Sequence, residues 1–196
     1  MTCTDDTQFN QTQDSQEVRL VGDSIVRGQL SEFCGRNITT RKRFCIPGAR
    51  LEDIEAAAEV VTDQATTDTL YLVHAGTNDV QSARAEDILA KYRRVIRRYR
   101  QTSRNVIVSG ILPRTKAFPG FHRKACDVNE ELRRLCENEG VVFTSQWEHF
   151  YDQPHLYRRD GLHLNDEGSA RLGRLLNAVV VSFSKNCQRG RGAGSP

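Results

Sequence analysis

No apolar run in this sequence approaches the roughly 20 residues that a helix needs to cross a hydrocarbon core. The opening residues, Met1 to Gln16, are polar and acidic, the wrong order for a secretory leader, so an intracellular address is expected. Six cysteines, Cys3, Cys34, Cys45, Cys126, Cys136 and Cys187, include no C-x-x-C pair, and a chain of 196 residues has no need of disulfide staples, so mostly free thiols are expected. Neither a paired-cysteine knuckle nor H-E-x-x-H occurs, and the five histidines lack ligand spacing, so no metal and no cofactor is implied. A G-x-S-x-G elbow is missing, which argues against the α/β-hydrolase arrangement. So are an RNA-recognition signature, a zinc knuckle and a heptad array.

Each end also lacks charge of one sign. Met1 to Val18 holds four acids and no base, while Lys185 to Pro196 holds three bases and no acid. Both stretches lack an apolar period and are rich in Thr, Gln, Asp or Gly, as expected of segments that cannot repay their ordering entropy. The expected organisation is a flexible acidic segment at 1–18, one domain at 19–184, and a flexible basic Gly-rich tail at 185–196.

Within the domain, Arg19 to Gly22 reads as a strand, followed by a tight turn at Gly22-Asp-Ser24 and helix-like spacing from Ile25 to Phe33. Phe44 and Ile46 suggest a second strand. Pro47-Gly48 then turns into a helix that carries Leu51, Ile54, Ala57, Ala58 and Val61. Thr69 to Val73 is a nearly continuous β-favouring run that stops at the polar His74-Ala-Gly-Thr-Asn-Asp79. Glu86 to Tyr99 has helical periodicity, Asn105 to Ile111 reads as a fourth strand, and Leu112 to Gly120 is too broken by Pro and Gly for a regular element. A helix around Leu132, a fifth strand at Val141 to Thr144, and a last helix capped by Asn165 or Asp166 with apolar positions to Phe183 complete the pattern. Five strands alternating with helices call for a mostly parallel five-stranded sheet in an α/β/α sandwich, with function in the loops at the strands' carboxyl ends.

Those loops carry a set of groups with complementary chemistry. A serine hydroxyl is a poor nucleophile unless a base takes its proton and a carboxylate holds that base in the right tautomer. Ser24 could be the nucleophile, and Asp160-Gly-Leu-His163 offers base and carboxylate in one short loop. A tetrahedral intermediate needs preorganised donors for its oxyanion: the Asn78 amide and the backbone N–H groups of Ser24 and Gly48 are candidates. Each group alone has an ordinary structural explanation: a turn at Ser24, a surface imidazole beside a helix cap at His163, a loop cap at Asn78.

Together, Gly22-Asp-Ser24, Gly48, Gly76-Thr-Asn-Asp79 and Asp160-Gly-Leu-His163 resemble the four blocks of the SGNH, or GDSL-like, hydrolases, in the family's order and over roughly Arg19 to Phe183. The resemblance implies a flavodoxin-like fold, Ser24 as nucleophile, His163 as base supported by Asp160, and an oxyanion hole of Ser24, Gly48 and Asn78. Ile25-Val26 stands where GDSL sequences carry Leu, a departure that fits the broader SGNH pattern. The implied activity is hydrolysis of a small ester, expected to be an acetyl ester because the loops are short. The wording GDS-I-V-R, H-A-G-T-N-D and DGLHLN also resembles the esterase domain in the first open reading frame of some vertebrate LINE-type retrotransposons.

Two other readings use the same residues. A metal-dependent phosphoesterase could draw on Asp23, Asn78, Asp79 and His163, though the clustered histidines and carboxylates of a two-metal site are missing. A catalytically idle fold could serve as a binding module for RNA or a protein partner. Arg84, Lys91, Arg93, Arg94, Arg97, Arg98 and Arg100 could attract phosphate, giving weak, nonspecific, salt-sensitive RNA binding, or could simply form a solvated helix face. Oligomeric state is not legible.

Overall fold

Runs of Val, Leu, Ile and Tyr buried on both sides form the centre of the sheet. The computed structural model describes residues 16–28, 32–33 and 40–192. Five strands, β1 (Val18–Gly22), β2 (Arg41–Cys45), β3 (Leu70–His74), β4 (Val106–Ser109) and β5 (Val142–Thr144), lie in the order β2-β1-β3-β4-β5. Every pairing is parallel, with Gly22 beside both Cys45 and His74. Parallel neighbours require crossover connections, and these place helices on both faces, giving the expected flavodoxin-like three-layer sandwich.

Alternation along the strands divides the core. Val21, Tyr71, Val73, Val106 and Val108 pack with α1 (Leu51–Ala56), α2 (Ala58–Val61), α3 (Ala85–Arg100) and α4 (Phe121–Glu139). Val18, Leu20, Leu70, Leu72 and Ile107 face the other way, toward Phe150 of α5 (Trp147–Phe150) and Leu172, Leu176 and Val180 of α6 (Asp166–Gly192). No helix among the described residues is long and apolar enough to cross a membrane.

The local differences from the sequence pattern have identifiable causes. After β1 the chain makes a 3-10 helix over Ser24–Gly28 where α-helical spacing was read, because Asp23 takes the Ile25 N–H on its side chain and the Val26 N–H on its carbonyl. β2 takes in the basic Arg41-Lys-Arg43 and ends before Ile46: Lys42 reaches Glu17, and Arg43 donates to the Val26 carbonyl. The helix after Gly48 divides at Ala57 into α1 and α2. Two single turns, α5 and a 3-10 helix at Pro154–Leu156, occupy the stretch between β5 and α6.

Asn165 is the cap of α6, accepting the Gly168 N–H at 2.9 Å. That helix runs past Phe183 to Gly192, into the segment expected to be a flexible tail. At the other end, Val18 lies in β1 and Glu17 pairs with Arg19, so ordered structure begins before residue 19. The remainder of the acidic segment, residues 1–15, lies outside the described residues, as do 193–196, Cys3 and Cys34. Cys45, Cys126, Cys136 and Cys187 are free thiols.

One buried side chain anchors the loop that leaves β4. Asn129 accepts the Ile111 N–H at 2.8 Å and donates to the Ile111 carbonyl at 2.9 Å. Asn129→Ala would strand both backbone groups, at a cost of about 1–3 kcal/mol. A lower urea midpoint at unchanged m-value is expected, and an unchanged midpoint would show that Ile111 finds other partners.

Candidate active site

The sheet order reverses between β1 and β3, and such a reversal opens a crevice beyond the carboxyl ends of the strands. Ser24 follows β1 and Asn78 follows β3, so both stand at that crevice. The Asp23 turn sets the serine: with Ile25 N–H and Val26 N–H folded back onto Asp23, the Ser24 hydroxyl points outward. Its Oγ lies 3.0 Å from Nε2 of His163, across 139 residues of sequence.

Nδ1 of His163 lies 2.7 Å from Oδ2 of Asp160, while the other oxygen of that carboxylate accepts the N–H groups of Leu162 and His163, each at 2.9 Å. A carboxylate only accepts, so Nδ1 carries the proton and Nε2 is left to accept from the Ser24 hydroxyl. The His163 hydrogen bond, aided by the two backbone N–H groups, lowers the Asp160 carboxyl to about 2. Both side chains are part-exposed, at 37% for His163 and 48% for Asp160, so reagents in solution can reach them.

The segments that carry the three expected oxyanion donors are tied to one another. Ile46 N–H donates to the Gly22 carbonyl at 2.9 Å, tying the Pro47-Gly48 turn to the end of β1. Gly48 has φ +73°, a conformation that strains any side chain. The Asn78 amide donates to the Ala49 carbonyl at 2.9 Å, which brings the third donor beside that turn and leaves one amide hydrogen unspent. Neither the Ser24 nor the Gly48 N–H has a hydrogen-bond partner among the described residues.

Asp79 has a different role from its neighbour. It is fully buried, holds the Leu51 N–H at the start of α1 at 3.0 Å, and accepts from Lys91 at 3.0 Å. Both oxygens are thus occupied, and among the described residues no group of three His, Cys, Asp or Glu side chains could hold a metal ion. Asp23, Asn78, Asp79 and His163 therefore do not assemble into the ligand set that a metal phosphoesterase would need.

Four further groups matter that the sequence did not single out. Thr77 and Arg114 are bonded to each other beside Asn78; His74 is buried with Nδ1 2.9 Å from Ser109 Oγ, and burial lowers its imidazole to about 4. Tyr157 donates to the Pro113 carbonyl at 2.7 Å. His74 and Thr77 lie in the His74-Ala-Gly-Thr-Asn-Asp79 stretch and Arg114 in the broken loop from Leu112 to Gly120, but no local pattern says what these side chains contact.

Beneath Ser24, Asp23 is 1% exposed, and its Oδ2 has no hydrogen-bond partner. Burial raises its carboxyl to about 6, against the opposing pull of the Ile25 N–H and of Arg114 and His163. An unfolded aspartate ionises near pH 4 while this folded one holds its proton to about 6, so its contribution to stability declines as pH rises across that interval. Two pKa units correspond to about 3 kcal/mol at most. Asp23→Asn has no charge to bury and is expected to gain thermal stability relative to the parent between pH 4 and 6, followed by circular dichroism. Parallel Tm profiles for the two proteins would show that Asp23 ionises normally.

Comparison with known proteins agrees with the geometry. The family model for GDSL-like lipases and acylhydrolases matches residues 20–171. Among solved structures, a G-D-S-L lipolytic protein of Veillonella parvula superposes with TM-score 0.72 at 17% identity, covering 86% of this chain and 99% of that one. An acetyl esterase variant crystallised with an acetate ion gives 0.70 at 17% identity, covering 88% and 99%. A carbohydrate esterase family 3 member from Talaromyces cellulolyticus gives 0.67 at 18%, covering 87% and 99%. At such identities the superpositions speak for the fold. No curated protein matches the sequence, and the finer resemblance to a retrotransposon esterase domain gains no support from these matches. With the family model spanning most of the domain, and its serine standing within hydrogen-bond reach of an aspartate-held histidine, the chain belongs to the GDSL-like lipase/acylhydrolase family.

Proposed function

We propose that this chain is a serine esterase that hydrolyses small acetyl esters through an acyl-enzyme intermediate. The observation that carries the reading is the chain of contacts Ser24 Oγ to His163 Nε2 at 3.0 Å and His163 Nδ1 to Asp160 at 2.7 Å. As Ser24 attacks the ester carbonyl, Nε2 takes its proton, and the imidazolium so formed faces an ionised Asp160. The carbonyl oxygen gathers negative charge, which the Ser24 and Gly48 N–H groups and the spare Asn78 amide hydrogen would meet. Collapse expels the alcohol with the proton from His163. Water, activated by the same base, then releases the acid and restores Ser24.

The acetyl preference rests on a cleft that shares Pro113 and Arg114 with the small cavity beside Asp23 and Leu162. That larger cleft is lined by Arg114, Thr115, His122, Tyr151 and Asp152 along with Pro113, Phe150 and Pro154, a mixed polar and aromatic surface that suits a hydroxylated leaving group better than a long alkyl chain. Tyr151 is exposed there and stacks on Trp147 with ring centroids 5.8 Å apart. Structural neighbours include an acetyl esterase and an acetyl-xylooligosaccharide esterase, in line with this choice.

The cations behind the RNA alternative have partners within the fold. Arg94 pairs with Glu55 at 2.9 Å, Arg93, Arg97 and Arg100 converge on Glu139, Arg84 pairs with Asp87, Lys91 pairs with Asp79, and Arg98 donates to Gln101. Six of the seven cations share five carboxylates, Glu52, Glu55, Asp79, Asp87 and Glu139, so part of the positive charge on α3 is offset, and the esterase reading is the one to test first.

Two experiments test it. A fluorophosphonate probe should label the intact protein at Ser24, with no adduct on Ser24→Ala, and folded His163→Ala should lose most turnover. Absence of an adduct on the parent protein would support an idle scaffold, while near-parental kcat in His163→Ala would place the base elsewhere. Across p-nitrophenyl esters, kcat/KM should fall steadily as the acyl group lengthens from acetyl. A rise toward long chains would overturn the acetyl assignment.

A further inference from the structure

Residues 113–116 touch, in succession, both loops on which the proposed chemistry depends. Arg114 donates three hydrogen bonds to Thr77: Nε to Oγ1 at 3.1 Å, and Nη2 to the carbonyl at 2.7 Å and to Oγ1 at 3.0 Å. Thr77 is the residue before Asn78. The next residue along the strap, Thr115, donates its N–H to the Gly161 carbonyl at 2.9 Å, between Asp160 and His163. Gly161 has φ +69°, and a Cβ there would stand 2.5 Å from the Lys116 nitrogen, so the two backbones meet only because the residue is glycine. Lys116 adds a bond from Nζ to the Arg159 carbonyl at 2.6 Å.

The strap is itself held from outside the site. Tyr157 bonds the Pro113 carbonyl, and Nε2 of His122 donates to the Arg114 carbonyl at 2.6 Å. The Arg114 guanidinium lies 4.7 Å above the centre of the buried Phe121 ring. Partial burial of a guanidinium is costly, and here burial lowers its proton affinity while the carboxylate of Asp23 works against that. Asp23, whose Oδ2 has no partner, lines the same small cavity as Arg114, Thr77 and Leu162. A planar fork that bonds one residue at three points, rests on a ring and faces a buried acid is geometry that lysine cannot reproduce.

We propose that Arg114 is a positioning residue that locks the Asn78 loop to the loop bearing Asp160 and His163, so that the oxyanion donor and the base share one frame. The proposal rests on the serine-esterase reading above. Without the fork, Thr77 and Asn78 are free to shift relative to the Gly161 contact, which survives because it is made by backbone. The transition state suffers and substrate binding does not, since a displaced donor is needed only where charge develops.

The test is a double-mutant cycle on p-nitrophenyl acetate turnover, using the full chain with folding verified by circular dichroism and a urea titration. Asn78→Ala should reduce kcat by about 100- to 1,000-fold, as for loss of an oxyanion donor. Arg114→Ala should reduce kcat by about 10- to 100-fold, with KM changed by less than about threefold. Added to Asn78→Ala, the arginine substitution should cost less than about threefold more, because the donor that it positions is already gone. Thr77→Val, which removes the oxygen receiving two of the three bonds, should show the same kcat-only defect and serves if Arg114→Ala fails to fold; Arg114→Lys should not restore activity.

Multiplicative losses in the double variant, a defect confined to KM, or a parental kcat in folded Arg114→Ala or Thr77→Val would overturn the proposal alone. A parent protein that neither turns over esters nor takes the probe at Ser24 would overturn the esterase reading itself.

Discussion

Parallel pairing of β1 with β3 sets Val18 beside Leu70 and Gly22 beside His74, so the two central strands stop at one level. Because the next strand out on one side is β2 and on the other β4, the connections leave in opposite directions and the loops after β1 and β3 face each other across a gap. The backbone bond from Ile46 to the Gly22 carbonyl carries the sheet's pattern one step beyond β2, which brings the Gly48 turn to the same gap. Three segments far apart in sequence thus converge with no side chain having to reach. The helix-covered core on each face, with Leu20, Leu72 and Ile107 on one side and Val21, Val73 and Val108 on the other, is what makes the levels rigid.

Polar groups are buried beneath this gap, and they fall into two kinds. Asp79 is satisfied on both oxygens and is a structural brace, tying the start of α1 to Lys91 of α3. Asp23 is satisfied on one oxygen only, with neutral His74 and half-buried Arg114 lining the same cavity. A buried acceptor without a partner destabilises a fold, and this one sits directly before Ser24.

Legibility in the sequence followed range. Strands β1 and β3 were visible because burial on both faces leaves a run of β-branched and aliphatic residues, and Asp160 with His163 was visible because its partners sit three residues apart. The 3-10 helix over Ser24–Gly28 was not legible because the Ile25 N–H folds back onto the Asp23 carboxylate and overrides the apolar spacing at Ile25 and Val26. The partners of the α3 arginines were not legible, since Glu55 and Glu139 reach them from other helices. Arg114 stayed hidden for the same reason: Thr77 is 37 residues away, and nothing local in Leu112-Pro-Arg114 says what the guanidinium will grasp.

The Ser24–His163 contact closes a loop of 139 residues, whereas the Asp160–His163 contact closes one of three. Closing the short loop costs little chain entropy, whereas the long closure requires the sheet and the docked α6. Hydrolysis becomes available only at the end of assembly, which makes the appearance of activity during refolding a clock for the last step of folding rather than for the collapse that precedes it.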